Sequence, residues 1–288
     1  MTGLIRLLPH SKDLGGGFFV RRLLPSAQRQ AVGPFVFFDH FGPITAQPGD
    51  DHDVRPHPHI GLATVTYLFD GAMMHRDSTG IEQRIEPGAV NWMTAGSGIV
   101  HSERTPADLR ELAHTTHGVQ LWAALPLAHE EDDCAFQHAP AASIPEVQIG
   151  NARVRVLIGE AFGVVSPVKT VSPTLYLDLQ LAAGGSMVLA AQEHERALYG
   201  VDGGFSVDGE EIAPYTLLIL EPGSSPGVRS ESGCRLVMIG GAPLGHRHIW
   251  WNFVSSSRER IERAKDDWVA QRMGQVAGDA EFIPLPAR

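Results

Sequence analysis

The 288-residue chain has little cysteine: Cys134 and Cys234 alone. Two thiols make no disulfide framework, and neither has a CxxC partner, so a stapled fold is excluded and both read as reduced. No apolar run approaches the ~20 residues that span a bilayer. Met1-Thr2-Gly3-Leu4-Ile5-Arg6 lacks the charged-then-apolar order of a signal peptide. A soluble, cytoplasmic setting without membrane contact is the expectation. There is also no block of basic residues, and the net charge is -10. The nearest cluster is Arg258, Arg260, Arg263 and Lys265, interleaved with Glu259, Glu262 and Asp266. That mixture reads as a solvated helix face, not as a nucleic-acid surface.

Glycine (31) and proline (20) are plentiful and spread along the chain. Many turns between short elements would produce this, which predicts an all-β protein. Leu62–Phe69 is rich in β-formers and ends in the hairpin signal Asp70-Gly71. In Thr174–Leu181 four leucines alternate onto one face. A weak internal repeat is also visible. Asp70-Gly71 is echoed by Asp202-Gly203, and Glu86-Pro87-Gly88 by Glu221-Pro222-Gly223, about 130 residues on. Two β-domains related by duplication explain this: residues 1–130, a proline-containing linker at 131–150 with acidic residues at Glu130–Asp133, and residues 151–288. The last segment ends in a helix with Ser256 as its cap, Ile261, Ala264 or Lys265, and Trp268 on one stripe, and Gly274 at its end.

The chemistry sits in two short pieces. Arg55-Pro56-His57-Pro58-His59 carries an HxH pair, and Gly98-Ile99-Val100-His101-Ser102-Glu103 an HxE pair. On a strand, residues i and i+2 share a face. Two neighbouring strands would therefore bring His57, His59, His101 and Glu103 to one point: three imidazoles and a carboxylate, a first-row transition-metal set. Tetrahedral zinc would be filled by four protein ligands, whereas iron, nickel, copper or manganese would keep open positions. Glu103 has a second option. Weakly bound, it can swing off and act as general base toward a hydroxyl. The second half of the repeat has no such set; Glu193-His194-Glu195 lies before its strand.

Other candidates carry two readings each. Trp92, Met93, Ile99 and Phe41 would wall a dry pocket for an aromatic substrate, or are ordinary core. Asp39-His40 would orient a ligand imidazole, or fix the turn at Gly42-Pro43. His52 is a further candidate without an assigned role. His75 reads as structural or exposed. His10, His114, His129, His138, His246 and His248 read as surface or satisfied core.

The segments Phe37-Phe38-Asp39-His40-Phe41-Gly42-Pro43, His57-Pro58-His59, Trp92-Met93-Thr94-Ala95-Gly96 and Gly98–Glu103 together resemble the pirin family of the cupin superfamily. The resemblance implies a bicupin: two jelly-roll-type barrels, one divalent metal in the N-terminal barrel, and His57, His59, His101 and Glu103 as its ligands. It implies Fe(II), with Ni, Cu, Mn and Zn as alternatives. It also implies quercetin 2,3-dioxygenase chemistry on a flavonol or similar aromatic enol. There the 3-hydroxyl binds the metal, dioxygen adds, the heterocycle opens and carbon monoxide leaves. The alternative from the same family is a non-catalytic, redox-sensing regulator that binds a partner protein. One departure stands out. Many relatives place a glutamate shortly after HxH, where this chain has Ala63.

Overall fold

The computed structural model describes residues 5–15 and 17–286. Met1–Leu4 of the segment read for a signal peptide, and Ala287 and Arg288 at the end of the second β-domain, fall outside the described residues. The fold is mostly β, with one α-helix, Arg258–Val269, among the described residues. Both cysteines are free.

The chain forms two compact units, each a barrel built from a seven-stranded and a four-stranded sheet. In one unit the large sheet runs Ala135–Ala139, Val90–Thr94, Leu62–Asp70, His114–Ala124, Phe35–Ala46, Phe19–Leu24, His10–Asp13. Its small sheet runs Val54–His59, Ile99–Arg104, Met73–Asp77, Glu82–Ile85. In the other unit the large sheet runs Arg6–Leu7, Leu217–Leu220, Glu195–Asp202, Cys234–Gly241, Thr174–Leu181, Ala152–Ile158, Glu146–Ile149. Its small sheet runs Gly185–Val188, Gly227–Ser230, Phe205–Val207, Glu210–Ile212. Position by position the two orders correspond, which is the topological form of the repeat.

That correspondence confirms one echo and corrects the other. Asp70-Gly71 and Asp202-Gly203 both close equivalent strands. Glu86–Gly88 precedes the strand Val90–Thr94, whereas Glu221–Gly223 follows its equivalent Leu217–Leu220. Identical tripeptides occupy different turns because Pro-Gly chemistry serves any turn of suitable geometry.

The units also differ from a division at residues 131–150. One comprises residues 1–11, 21–39 and 142–243; the other comprises 12–20, 40–141 and 244–288, a division that cuts His10–Asp13, Phe19–Leu24 and Phe35–Ala46, strands that stay whole within their sheet. Much of the expected linker is structured. Ala135–Ala139 adds to the large sheet on Val90–Thr94. Glu130 is buried, accepts from Ser255 Oγ and Ser256 N, and pairs with Arg247 at 2.8 Å. The terminal helix belongs to the HxH-bearing unit, not to the second barrel. Its stripe Ile261, Ala264, Trp268 packs on Ile60 and Val100. Periodicity predicts that an apolar face must be covered, but not by what. The cap is Ser257, which accepts from Arg260 N; Ser256 is occupied by Glu130. The helix ends at Val269, before Gly274.

The second barrel is filled with aliphatics. Leu175, Leu177, Leu179 and Leu181 all enter one core cluster with Leu198, Leu218, Leu236 and Met238. Burial of each contributes about 2 kcal/mol. Arg196 breaks the apolar rule in this unit at 1% exposed. Its guanidinium donates to Ala190 O at 2.6 Å and Ser224 O at 2.7 Å. Its Nε has no partner among the described residues, and burial lowers its pKa. Ala190 follows the strand Gly185–Val188 and Ser224 precedes Gly227–Ser230. These two strands are the counterparts of the strands that carry HxH and HxE. Arg196→Ala should leave both carbonyls unpaired beside a cavity and cost about 3 kcal/mol. Urea unfolding reads this directly; a loss below about 1 kcal/mol would remove Arg196 as a clamp.

Candidate metal centre

Val54–His59 is an edge strand, which explains how it tolerates Pro56 and Pro58: neither has an N–H to give a ladder. The prolines alternate with the histidines, so they face out where His57 and His59 face in. Its partner strand pairs Ile99 with His59 and His101 with His57; the register then shifts, and Glu103 meets Val54. Immediately after HxH the chain must reverse. Gly61 does so with φ +67, and a Cβ there would stand 2.0 Å from Val254 O, so only glycine fits.

The two strands bring His57, His59 and His101 together, with ligand nitrogens within 4.8 Å of one another. His59 and His101 are 1% exposed and His57 7%. Each uses Nδ1 outward. His57 Nδ1 meets Arg55 O at 2.8 Å, and His59 Nδ1 meets Asn252 O at 3.0 Å. A carbonyl only accepts, so Nδ1 carries the proton and Nε2 presents its lone pair inward. His59 Nε2 and His101 Nε2 stand 3.1 Å apart. Two imidazole nitrogens this close need a proton or a cation between them. With metal–nitrogen bonds of about 2.1 Å, cis ligand atoms stand about 3.0 Å apart, so the spacing fits a bound metal.

His101 is oriented by a chain that the sequence reading missed. Its Nδ1 lies 3.4 Å from His75 Nδ1, and His75 Nε2 lies 3.0 Å from Asp77 Oδ2. An ionised Asp77 accepts from His75 Nε2–H, which leaves His75 Nδ1 to accept from His101. Burial opposes the charge on Asp77, but hydrogen bonds from His75 and Thr79 hold its pKa below the usual carboxylate value. Phe136, from the expected linker, stacks on His75 at 4.5 Å. So His75 is not exposed. It sits on Met73–Asp77, directly across from Glu103. The available signal was His75-x-Asp77, an i,i+2 pair in a strand beside the HxE.

Glu103 lies outside the three-histidine group. It is partly buried, accepts from Thr66 Oγ1 at 3.2 Å and is also bonded by Gln120. Burial pushes its pKa up, against the pull of His75, Thr66 and Gln120. Burial also lowers the histidines: His57 to about 4, and His59 and His101 well below the usual value. All three are neutral at physiological pH, as metal ligands must be.

The walls differ from expectation in one residue. Met93 pairs with Thr64, on the face that carries Thr66. Trp92 pairs with Val65 on the other face and bonds Thr94. The tryptophan at the site is Trp122, 5.1 Å from His59 and opposite Thr64. Ile99 shares the face of His101, and Phe41 joins an interior cluster with Leu68. Asp39-His40 does not orient the three imidazoles: Asp39 pairs with Arg22, and His40 Nε2 meets His117 Nε2 at 2.8 Å. Ala63 alternates away from Thr64 and Thr66, so a glutamate there would leave from the opposite face of the strand.

The fold and site define a bicupin with a histidine cluster that could hold a metal in one of its barrels. Residues 17–123 match the Pirin profile and residues 176–274 the Pirin C-terminal cupin domain. A pirin-like protein of Caulobacter vibrioides is 47% identical over 96% of this chain and 96% of its own. A Pseudomonas aeruginosa protein named as a candidate quercetin 2,3-dioxygenase is 38% identical over 99% of this chain and 87% of its own. The crystal structure of an Acinetobacter baumannii quercetin 2,3-dioxygenase superposes with TM-score 0.92 at 33% identity, covering 99% of this chain and 95% of that one. The chain belongs to the pirin family.

Two outcomes are expected. Asp77→Asn or His75→Phe should weaken metal binding about 10–100-fold, measured by competition with a chelator of known affinity; unchanged affinity would remove the chain to His101. In the metal-free protein, the depressed histidines favour the folded state fully above the unfolded value of 6.5, and that contribution is lost as pH falls toward about 4. The thermal midpoint should therefore fall across that window, and less so in His57→Gln. An equal fall in both proteins would count against the assignment.

Proposed function

We propose that the protein is a metal-dependent dioxygenase of the quercetin 2,3-dioxygenase type, acting on a flavonol or a similar aromatic enol. The observation that carries this reading is the convergence of three buried, neutral imidazoles beside a carboxylate of raised pKa. His57, His59 and His101 would hold the metal through Nε2, with Glu103 as a fourth ligand or as a base close by; iron is the metal we favour. When bound, the metal supplies Lewis-acid and one-electron chemistry toward an enolate and dioxygen.

The side chains do the rest. Glu103, made more basic by burial, takes the proton from the enol hydroxyl, and Thr66 and Gln120 hold it in place. Met93, Ile99, Phe41 and Trp122 exclude water and favour a flat apolar ring. The two 38% and 33% identical relatives named for this activity support the reading.

A second reading is a metal-containing regulator that binds a partner protein without turnover. It is favoured by one observation: the cavity bordered by Glu103 holds only about 20 Å³. Aerobic incubation of iron-loaded protein with quercetin separates the two. Loss of the flavonol's visible absorbance with release of carbon monoxide is expected, and Glu103→Gln should slow it at least about 100-fold. A rate no higher than that of free iron would favour the regulator. Metal analysis of protein purified without added metal identifies the ion.

A further inference from the structure

The cavity beside Glu103 is far smaller than the roughly 300–1,000 Å³ of ordinary ligand sites. Its lining includes Phe18, His52, Met73, Glu103, His114 and Thr116. Most of these are fixed by the barrel. Met73 opens the strand Met73–Asp77, Glu103 lies in Ile99–Arg104, and His114 and Thr116 lie in His114–Ala124. Phe18 and His52 are different. Neither is in a strand: Phe18 precedes Phe19–Leu24, and His52 lies in the irregular stretch between Ala46 and Val54.

Phe18 nevertheless enters the interior. It is 4% exposed and packs with Phe41, Leu68, Ile85 and Ala89. Its ring lies 5.8 Å from Phe41. His52 stacks on it at 5.4 Å with the planes 19° apart. So an aromatic ring, stacked on one face by a second flat ring, lines the small space next to Glu103. Its backbone is held by two hydrogen bonds, Phe18 N to Gly15 O and Leu14 N to Phe18 O, both 3.0 Å, so the ring leaves by side-chain rotation; beside it a Cβ at Gly17 would meet nothing within 4 Å.

We propose that Phe18 is an internal stand-in for the substrate ring: an aromatic enol enters by displacing Phe18 from the face of His52 and takes over its stack. This rests on the flavonol reading and deepens it, since Phe18 and His52 would then set which ring sizes are admitted. The exchange of one stacked aromatic for another loses little stacking energy. Removing the Phe18 ring opens roughly 100 Å³, room for one ring of the incoming molecule and not for all of it, and His52 and His114 then offer polar atoms to the hydroxyls of that ring.

The test uses the iron-loaded full chain under anaerobic conditions, so that binding is read without turnover. Quercetin association is followed by its visible spectrum, and access of a second aromatic by the rate at which 2,2′-bipyridyl extracts the iron. Phe18→Ala and the milder Phe18→Leu should speed both about tenfold or more. Phe18→Trp should slow both. His52→Ala, which removes only the partner of the stack, should speed both by a smaller factor and controls for folding defects at position 18. Extraction and association rates within twofold of the parent in Phe18→Ala, Phe18→Leu and His52→Ala would overturn the proposal. Faster extraction with no quercetin binding in any protein would support Phe18 as the displaceable ring while removing the flavonol reading.

Discussion

The pairing of Val54–His59 with Ile99–Arg104 is the constraint on which the site depends. It takes three imidazoles out of water and holds two Nε2 atoms 3.1 Å apart. Burial, with mutual repulsion among the imidazoles, keeps them neutral, because the charged form loses its hydration. What burial cannot do is aim them. That comes from the outer atoms: Arg55 O, Asn252 O and the His75–Asp77 pair each engage a Nδ1, directly or in series. The outer face of the same strands carries Pro56, Pro58 and Val100. The C-terminal segment covers it, with Ile261 and Trp268 on Val100 and Ile283 N on Pro56 O. The ligand strands are thus held from both sides.

The two barrels answer one structural problem in two ways. Both have a small sheet whose first two strands must be kept in register near their junction with the large sheet. In one barrel, imidazoles suited to a cation stand there. In the other, the guanidinium of Arg196 bonds the backbone on either side. A planar, permanently charged fork suits fixed carbonyls, whereas neutral imidazoles suit a metal ion. The two barrels share a strand order and differ in the residues that fill it.

Glu103 joins the chemistry to the question of access. It lies two residues from His101, yet its carboxylate bonds Thr66 and Gln120 inside the barrel. Phe18 lines the small space beyond it. Under the proposed function, such a site would stay closed until a ring of matching shape competes for the same stack. Its selectivity would then come from shape and stacking more than from hydrogen bonds, consistent with walls made of Met93, Ile99, Phe41 and Trp122.

The sequence by itself determined the local geometry. Spacing i,i+2 put His57 with His59, and His101 with Glu103, because a strand alternates its faces. Leucine alternation marked a core strand, and helical periodicity marked Ile261, Ala264 and Trp268. Tertiary structure decided everything that depends on which strand lies beside which. It brought Trp122 rather than Trp92 to His59, because register and parity, not composition, choose the inward face. It placed His75 and Asp77 behind His101, since a cross-strand neighbour has no fixed separation in sequence. It put the terminal helix on the ligand strands. A hydrophobic stripe states that it will be buried, and only the assembled fold says against what.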